Sequence, residues 1–178
     1  MNKVMILVKK HIVISIIIVL VIIGAVIASV SLLERKTEKK SDSKTLGPEN
    51  AVEGFTNGMD KNNSNEVLKY YDGRGAIAWE KCNGMVSKFK ETYDDVDDDD
   101  IEKAEETLEK IVDGLSDYDK YSIKIEKIKE VKEQKGCNEL YKVKTKVKTK
   151  IKYEEEEEEN FQIVTFVVYK GKVISFDN

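Results

Sequence analysis

Histidine is almost missing from this chain: His11 is the only one in 178 residues, and nothing after it carries an imidazole. That removes the commonest general acid–base group at neutral pH from everything downstream, and the commonest metal ligand with it. His11 itself adjoins Lys10 at the edge of an apolar run, which suits an interfacial residue better than a ligand. Cysteine is scarce too. Cys82 and Cys137, far apart in sequence and without histidine, make neither a zinc site nor an activated nucleophile. No cysteine stands at the end of the apolar run, which excludes a bacterial lipoprotein. A single proline beside abundant Lys, Ile, Asn and Glu is what an AT-rich genome encodes, and suggests a bacterium.

Positive charge is also short where the chain is longest. Of the 30 Lys/Arg and 34 Asp/Glu, residues 1–46 hold eight and three, leaving 22 against 31 beyond. An acid excess of this size disfavours nucleic acid, whose binding needs concentrated positive charge.

What the chain does have is one long apolar stretch, Ile12 to Leu33, free of charged residues. At about 1.5 Å rise per residue, roughly 20 such residues cross a bilayer as a helix. Residues 1–11 then form a short cytoplasmic tail, 12–33 a transmembrane helix, 34–46 a polar flexible stalk, and 47–178 one domain. The run is too long for an ordinary signal-peptide core, so a single-pass signal anchor is expected, although Ala28 and Ser31 offer small-residue cleavage positions. Orientation has two opposing signals. Arg35, Lys36, Lys39, Lys40 and Lys44 favour an inside domain by the positive-inside rule. The short lysine-bearing tail before a first apolar segment resembles an export signal, and an extracytoplasmic domain at the cell membrane is the expectation.

Within the domain, Pro48 opens a helix carrying Val52, Phe55 and Met59 on one face. Asn62 to Ser64 break it, and a short helix over Glu66 to Tyr71 follows. Trp79, Cys82, Val86, Phe89 and Tyr93 recur at helical spacing, with Gly84 a point of weakness. Asp94 to Asp100 leads into a helix with Ile101, Ala104, Leu108, Ile111 and Leu115 on one stripe, capped by Asp99 with Glu102 three residues on. From Tyr118 the period becomes two. Tyr121, Ile123 and Ile125 alternate, and a phase shift at Ile128 predicts a bulge. A turn at Gly136 to Asn138 precedes the clearest strand, Tyr141 to Tyr153, where lysines occupy every second position. Glu154 to Glu159 reads as the next turn, Phe161 to Tyr169 as a strand, and Lys170-Gly171 as a tight turn into Val173 to Phe176. Helices first and strands afterwards predict an α+β fold, with helices on one face of a curved antiparallel sheet of about four strands.

The helical PENAVEGFTNGMDK and SNEVLKYYD with the closing strands FQIVTFVVYKGKVISFD resemble the extracytoplasmic nuclear-transport-factor-two-like, or cystatin-like, group. The resemblance covers Gly47 to Asn178 in architecture. It implies a sheet-and-helix pocket, which enzymes of the group line with an Asp and a His or Tyr. This domain has no such histidine.

Four candidate sites arise. Asp95, Asp97, Asp99 and Glu106 have calcium-like spacing, but Asp100 stands where the sharp turn needs glycine, and a solvated capping loop outweighs a metal site. Cys82 and Cys137 are either a disulfide, if the domain is exported, or two buried thiols. Trp79, Phe89, Tyr141, Tyr153 and Phe166 line a ligand pocket or form plain core. Lys142, Lys144, Lys146, Lys148, Lys150 and Lys152 share one strand face, which is either solvated or a docking surface for an anionic envelope polymer or an acidic partner, the acidic run of a second copy included.

The sum is a membrane-anchored, non-catalytic binding or scaffold domain at the bacterial cell envelope, without cofactor. Its expected partner is a protein or an envelope component, a second copy of the chain included. Two other roles fit the same layout: an assembly subunit of a conjugation or type IV secretion channel, and a small-molecule or lipid-binding module.

Overall fold

A computed structural model describes residues 47–153 and 156–177, without the side chains of Tyr153 and Glu156. The apolar run Ile12 to Leu33 lies outside them, and so do the tail, span and stalk expected around it. Among the described residues no helix is long and apolar enough to cross a membrane.

Five helices pack against a four-stranded antiparallel sheet of order β1-β2-β3-β4. The first helix, α1 (Pro48–Asp60), starts at its proline, whose missing N–H is an orphan in a first turn anyway. It ends where Asn62 takes a left-handed φ of 52°, a conformation asparagine tolerates better than most residues. Next, α2 (Ser64–Lys69) is capped by Asn63, whose side chain accepts the Glu66 N–H at 3.0 Å. The apolar stripe from Trp79 to Tyr93 is carried by two helices, α3 (Gly73–Lys81) and α4 (Val86–Asp94). Asn83 and Gly84, both with positive φ, turn the chain between them. The acidic run opens α5 (Asp98–Gly114) two residues earlier than a cap at Asp99 predicts. Asp97, not Asp99, stands at the cap, and Asp98 to Asp100 fill the first turn, where carboxylates favour the positive end of the helix dipole.

The strands β1 (Lys120–Glu133), β2 (Leu140–Tyr153) and β3 (Glu156–Tyr169) are 14 residues each, and β4 (Lys172–Asp177) is short. The phase shift in β1 is real and occurs twice, between Ile125 and Lys127 and again between Ile128 and Glu130. Each bulge restores an inward position, so Tyr121, Ile123, Ile125, Ile128 and Val131 all pack against the same core. Lys170 and Gly171 form the β3–β4 turn with positive φ at both, as a two-residue hairpin of matching twist requires. Both sheet edges are protected. Asp60 Oδ1 accepts the Ile123 N–H of edge strand β1 at 2.8 Å, while Tyr70 O and the Asp72 N–H both bond to Val173 on β4.

Two expectations need correction. Glu156 to Glu159 are not part of a turn: β3 begins at Glu156, which pairs back to Tyr153, and Glu154 and Glu155 lie outside the described residues. Opposite lysines on β2 make an extended acidic strand favourable there. The helices also do not keep to one face. Val143, Val147, Val164, Phe166, Val168 and Val173 meet α1, α2 and the C-terminal half of α5 on one side. On the other side Leu140, Val167, Tyr169 and Ile174 meet α3, α4 and Ala104 of α5 in a second core, at one end of the sheet. The physical cause lies in the sequence of the strands. Val167 and Tyr169 sit on the face that carries the lysines, and so does Leu140, and this apolar end must be buried against something.

The second core is locked on through Asp72. Its Oδ1 accepts the Gly75 N–H at 3.1 Å as the cap of α3, and its Oδ2 accepts the Tyr93 hydroxyl of α4 at 3.1 Å. Asp72→Ala removes both bonds and is expected to cost about 1–3 kcal/mol, read as a lower denaturant midpoint at unchanged slope.

Candidate docking face

The outward face of β2 bears Lys142, Lys144, Lys146, Lys148, Lys150 and Lys152, placed there because Val143, Thr145, Val147, Thr149 and Ile151 are drawn into the core at alternate positions. At the Lys142 end this face runs under the second core, where Lys142 Nζ lies 5.9 Å from the centre of the Trp79 ring. Beyond that end no described element covers it.

Register decides the electrostatics. Directly opposite four of the six β2 lysines on β1 stand more lysines: Lys120 faces Lys152, Lys124 faces Lys148, Lys127 faces Lys146 and Lys132 faces Lys142, while Lys144 faces Glu130 and Lys150 faces Ser122. Like charges paired across strands repel, at roughly 0.2–1 kcal/mol each. Nothing in the fold requires this pattern, since any polar residue would serve an outward position.

Relief comes from a few carboxylates. Glu126, extruded at the first bulge, meets Lys146 Nζ at 2.6 Å. Glu159 on β3 holds Lys148 at 2.7 Å and Lys150 at 2.9 Å. These two hydrogen bonds keep the Glu159 carboxyl below the usual carboxylate range, so the pairing is complete above that range and lost only as pH falls through the depressed value. The hydrogen bond to Glu159 raises Lys150 in turn. Among the described residues Lys124, Lys127, Lys132 and Lys144 have no ion-pair partner. Phe161 stands within this array half-exposed, with Lys146 Nζ 4.4 Å and Lys148 Nζ 5.1 Å from its ring centre. The periodicity of β2 points to the lysine strip. The opposing lysines of β1 follow only from a register that two bulges set.

The other candidates are placed as follows. Asp95 and Asp97 are exposed before α5, Asp99 lies in its first turn, and Glu106 is two turns on and paired with Lys110 at 3.3 Å. No group of three potential metal ligands converges among the described residues. Cys82 and Cys137 are both free thiols buried in the second core. Burial pushes the Cys137 thiol up, against the opposing pull of Lys90 and Lys170. The aromatic residues are divided by the sheet. Trp79 and Phe89 pack in the second core with Tyr93 and Tyr169, whereas Phe166 and Tyr141 belong to the first with Phe55 and Phe176.

One polar cluster has no signal in sequence spacing. Around Asp72 lie Tyr71, Tyr93 and Glu105, brought together from the β4 edge, α4 and α5. Burial, then the Asp72 carboxylate, raises both tyrosines above the usual phenol range, and burial raises Glu105 with Lys172 opposing. The hydrogen bonds of Asp72 to Gly75 and Tyr93 tie α3 and α4 together beside the sheet edge.

The chain matches no protein-family profile, no curated protein and no solved structure.

Proposed function

We propose that this chain is a membrane-anchored, non-catalytic binding domain of the bacterial cell envelope, and that its open sheet face is the surface that binds. Helices before a four-stranded antiparallel meander support the cystatin-like, nuclear-transport-factor-two-like assignment. Ile12 to Leu33 supports the anchor. The carrying observation is the set of Lys–Lys pairs between β1 and β2, an arrangement that costs stability and that an anionic partner would relieve. Lysine-based docking needs no residue activated for chemistry, in keeping with a domain free of histidine.

Lysine-selective footprinting of the full chain tests this, comparing native membranes with the detergent-purified protein. Lys124, Lys127, Lys132 and Lys144 are expected to be protected several-fold in the membrane sample. Lys61, Lys69 and Lys110, carried by the elements on the opposite side of the sheet, serve as the internal control. Equal labelling of both sets in both samples overturns the proposal. Crosslinking through the protected lysines then identifies the partner, and repeated capture of secretion-channel proteins would favour the assembly-subunit role.

A further inference from the structure

The face that the proposed function makes a docking surface has a shape as well as a charge. Its unpaired lysines form no single line: Lys124 and Lys127 lie on β1, and Lys144 lies on the neighbouring strand. Along a strand, alternate positions repeat at about 6.8 Å, and strands lie about 4.8 Å apart. The result is a two-dimensional array of ammonium groups. A linear polymer engages one row of such an array, whereas a plane of phosphates engages all of it.

Phe161 adds a second feature. An exposed phenylalanine ringed by lysines has an apolar body at the level of the lysine stems, and the stems let their charges reach outward around it. That combination of one apolar ring and surrounding cations suits a headgroup layer with acyl chains beneath it.

The third observation is distance. Thirteen residues separate Leu33 from Gly47, and a fully extended chain spans at most about 3.6 Å per residue, roughly 47 Å in all. If Ile12 to Leu33 spans the membrane, that membrane is the anionic surface at the highest effective concentration around the domain. The charge of the remaining surface agrees. Residues 47–119, which include all the described helices, hold 8 Lys/Arg and 20 Asp/Glu, so an anionic leaflet repels the helices, α3 and α4 at the covered end included, and attracts the lysine-bearing part of the sheet.

We propose that the uncovered part of this face of β1, β2 and β3, beyond the end that α3 and α4 occupy, rests against the anionic phospholipid surface of the membrane in which the chain is anchored, with Phe161 entering the headgroup layer. This rests on the docking reading above. Either side of the membrane serves, so the proposal is independent of orientation. It leaves α1, α2 and the C-terminal half of α5 turned away from the membrane, with α3 and α4 beside the contact at the Lys142 end.

The test uses the full chain reconstituted in vesicles of phosphatidylcholine alone and of phosphatidylcholine with about 30 mol % phosphatidylglycerol. Protection of Lys124, Lys127, Lys132 and Lys144 relative to Lys61 and Lys110 is expected in the anionic vesicles only, and about 0.5 M salt should abolish it. Phe161→Ser should weaken that protection with no change in unfolding midpoint. The triple variant Lys124→Glu, Lys127→Glu, Lys144→Glu should lose it, each neutralised lysine alone counting for about fivefold in surface affinity. Absence of protection in anionic vesicles, when native membranes do protect the face, overturns the bilayer as occupant and leaves docking to a protein or polymer. Absence in both overturns the docking reading as well. Equal protection in both vesicle types overturns the electrostatic basis.

Discussion

Phe89→Ala is expected to destabilise the domain by about 3–5 kcal/mol. Phe89 is 0 % exposed and is the one fully buried residue of α4. Its ring meets Tyr169 edge-on at 4.9 Å, Trp79 at 5.7 Å and Tyr93 at 5.8 Å. Truncation therefore loses the transfer energy of a phenyl ring and opens a cavity that three other rings cannot close without leaving their rotamers. The short helix has little else to hold it, since Val86 and Tyr93 are only partly buried. Denaturant unfolding of the purified chain, followed by the fluorescence of its single tryptophan, measures the loss. A companion reading is thiol reactivity. Cys82 and Cys137 are buried in the same core, and both should label faster in the variant at denaturant concentrations well below the midpoint. A change under about 1 kcal/mol would mean that α4 does not sit on this face of the sheet.

Gly58→Val is expected to cost about 2–3 kcal/mol. At Gly58 a Cβ would lie 2.8 Å from the backbone nitrogen of Val67 and 3.1 Å from its Cα. The obstacle is main chain, which cannot rotate away, so α1 and α2 must separate. Gly54 makes a useful contrast. Its Cβ would meet the Tyr70 ring at 2.3 Å, but a side chain can swing, at the expense of the contact it makes. Any gain in helix propensity over glycine, at most about 1 kcal/mol, does not offset a displaced backbone. Separating α1 from α2 would disturb Val52, Phe55 and Met59, all in the first core, so the same fluorescence melt should show the loss. An unchanged midpoint would place α2 elsewhere.

Much of this fold was legible in local patterns. Inward residues of β2 could be named from alternation alone, since a strand turns successive side chains to opposite faces. The break at Gly84 and the bulge near Ile128 left marks in residue type and phase. The acidic run misled because a turn and a charged strand look alike in composition, and the placing of Glu157 opposite Lys152 and Glu159 opposite Lys150 depends on a hairpin register that composition does not give. The aromatic residues misled similarly: spacing showed them to be inward, but not inward to which of two cores.

The sequence by itself determined the order of helices and strands, the residues sharing each face, and the concentration of lysine on one side of β2. Tertiary structure alone decided that β1 sets its lysines against those of β2, that Glu159 relieves two of them, and that α3 and α4 cover only one end of the face. The reason is that periodicity is a property of neighbouring residues. Register and coverage depend instead on which distant segments bury the most apolar surface together, here with two bulges absorbing the mismatch.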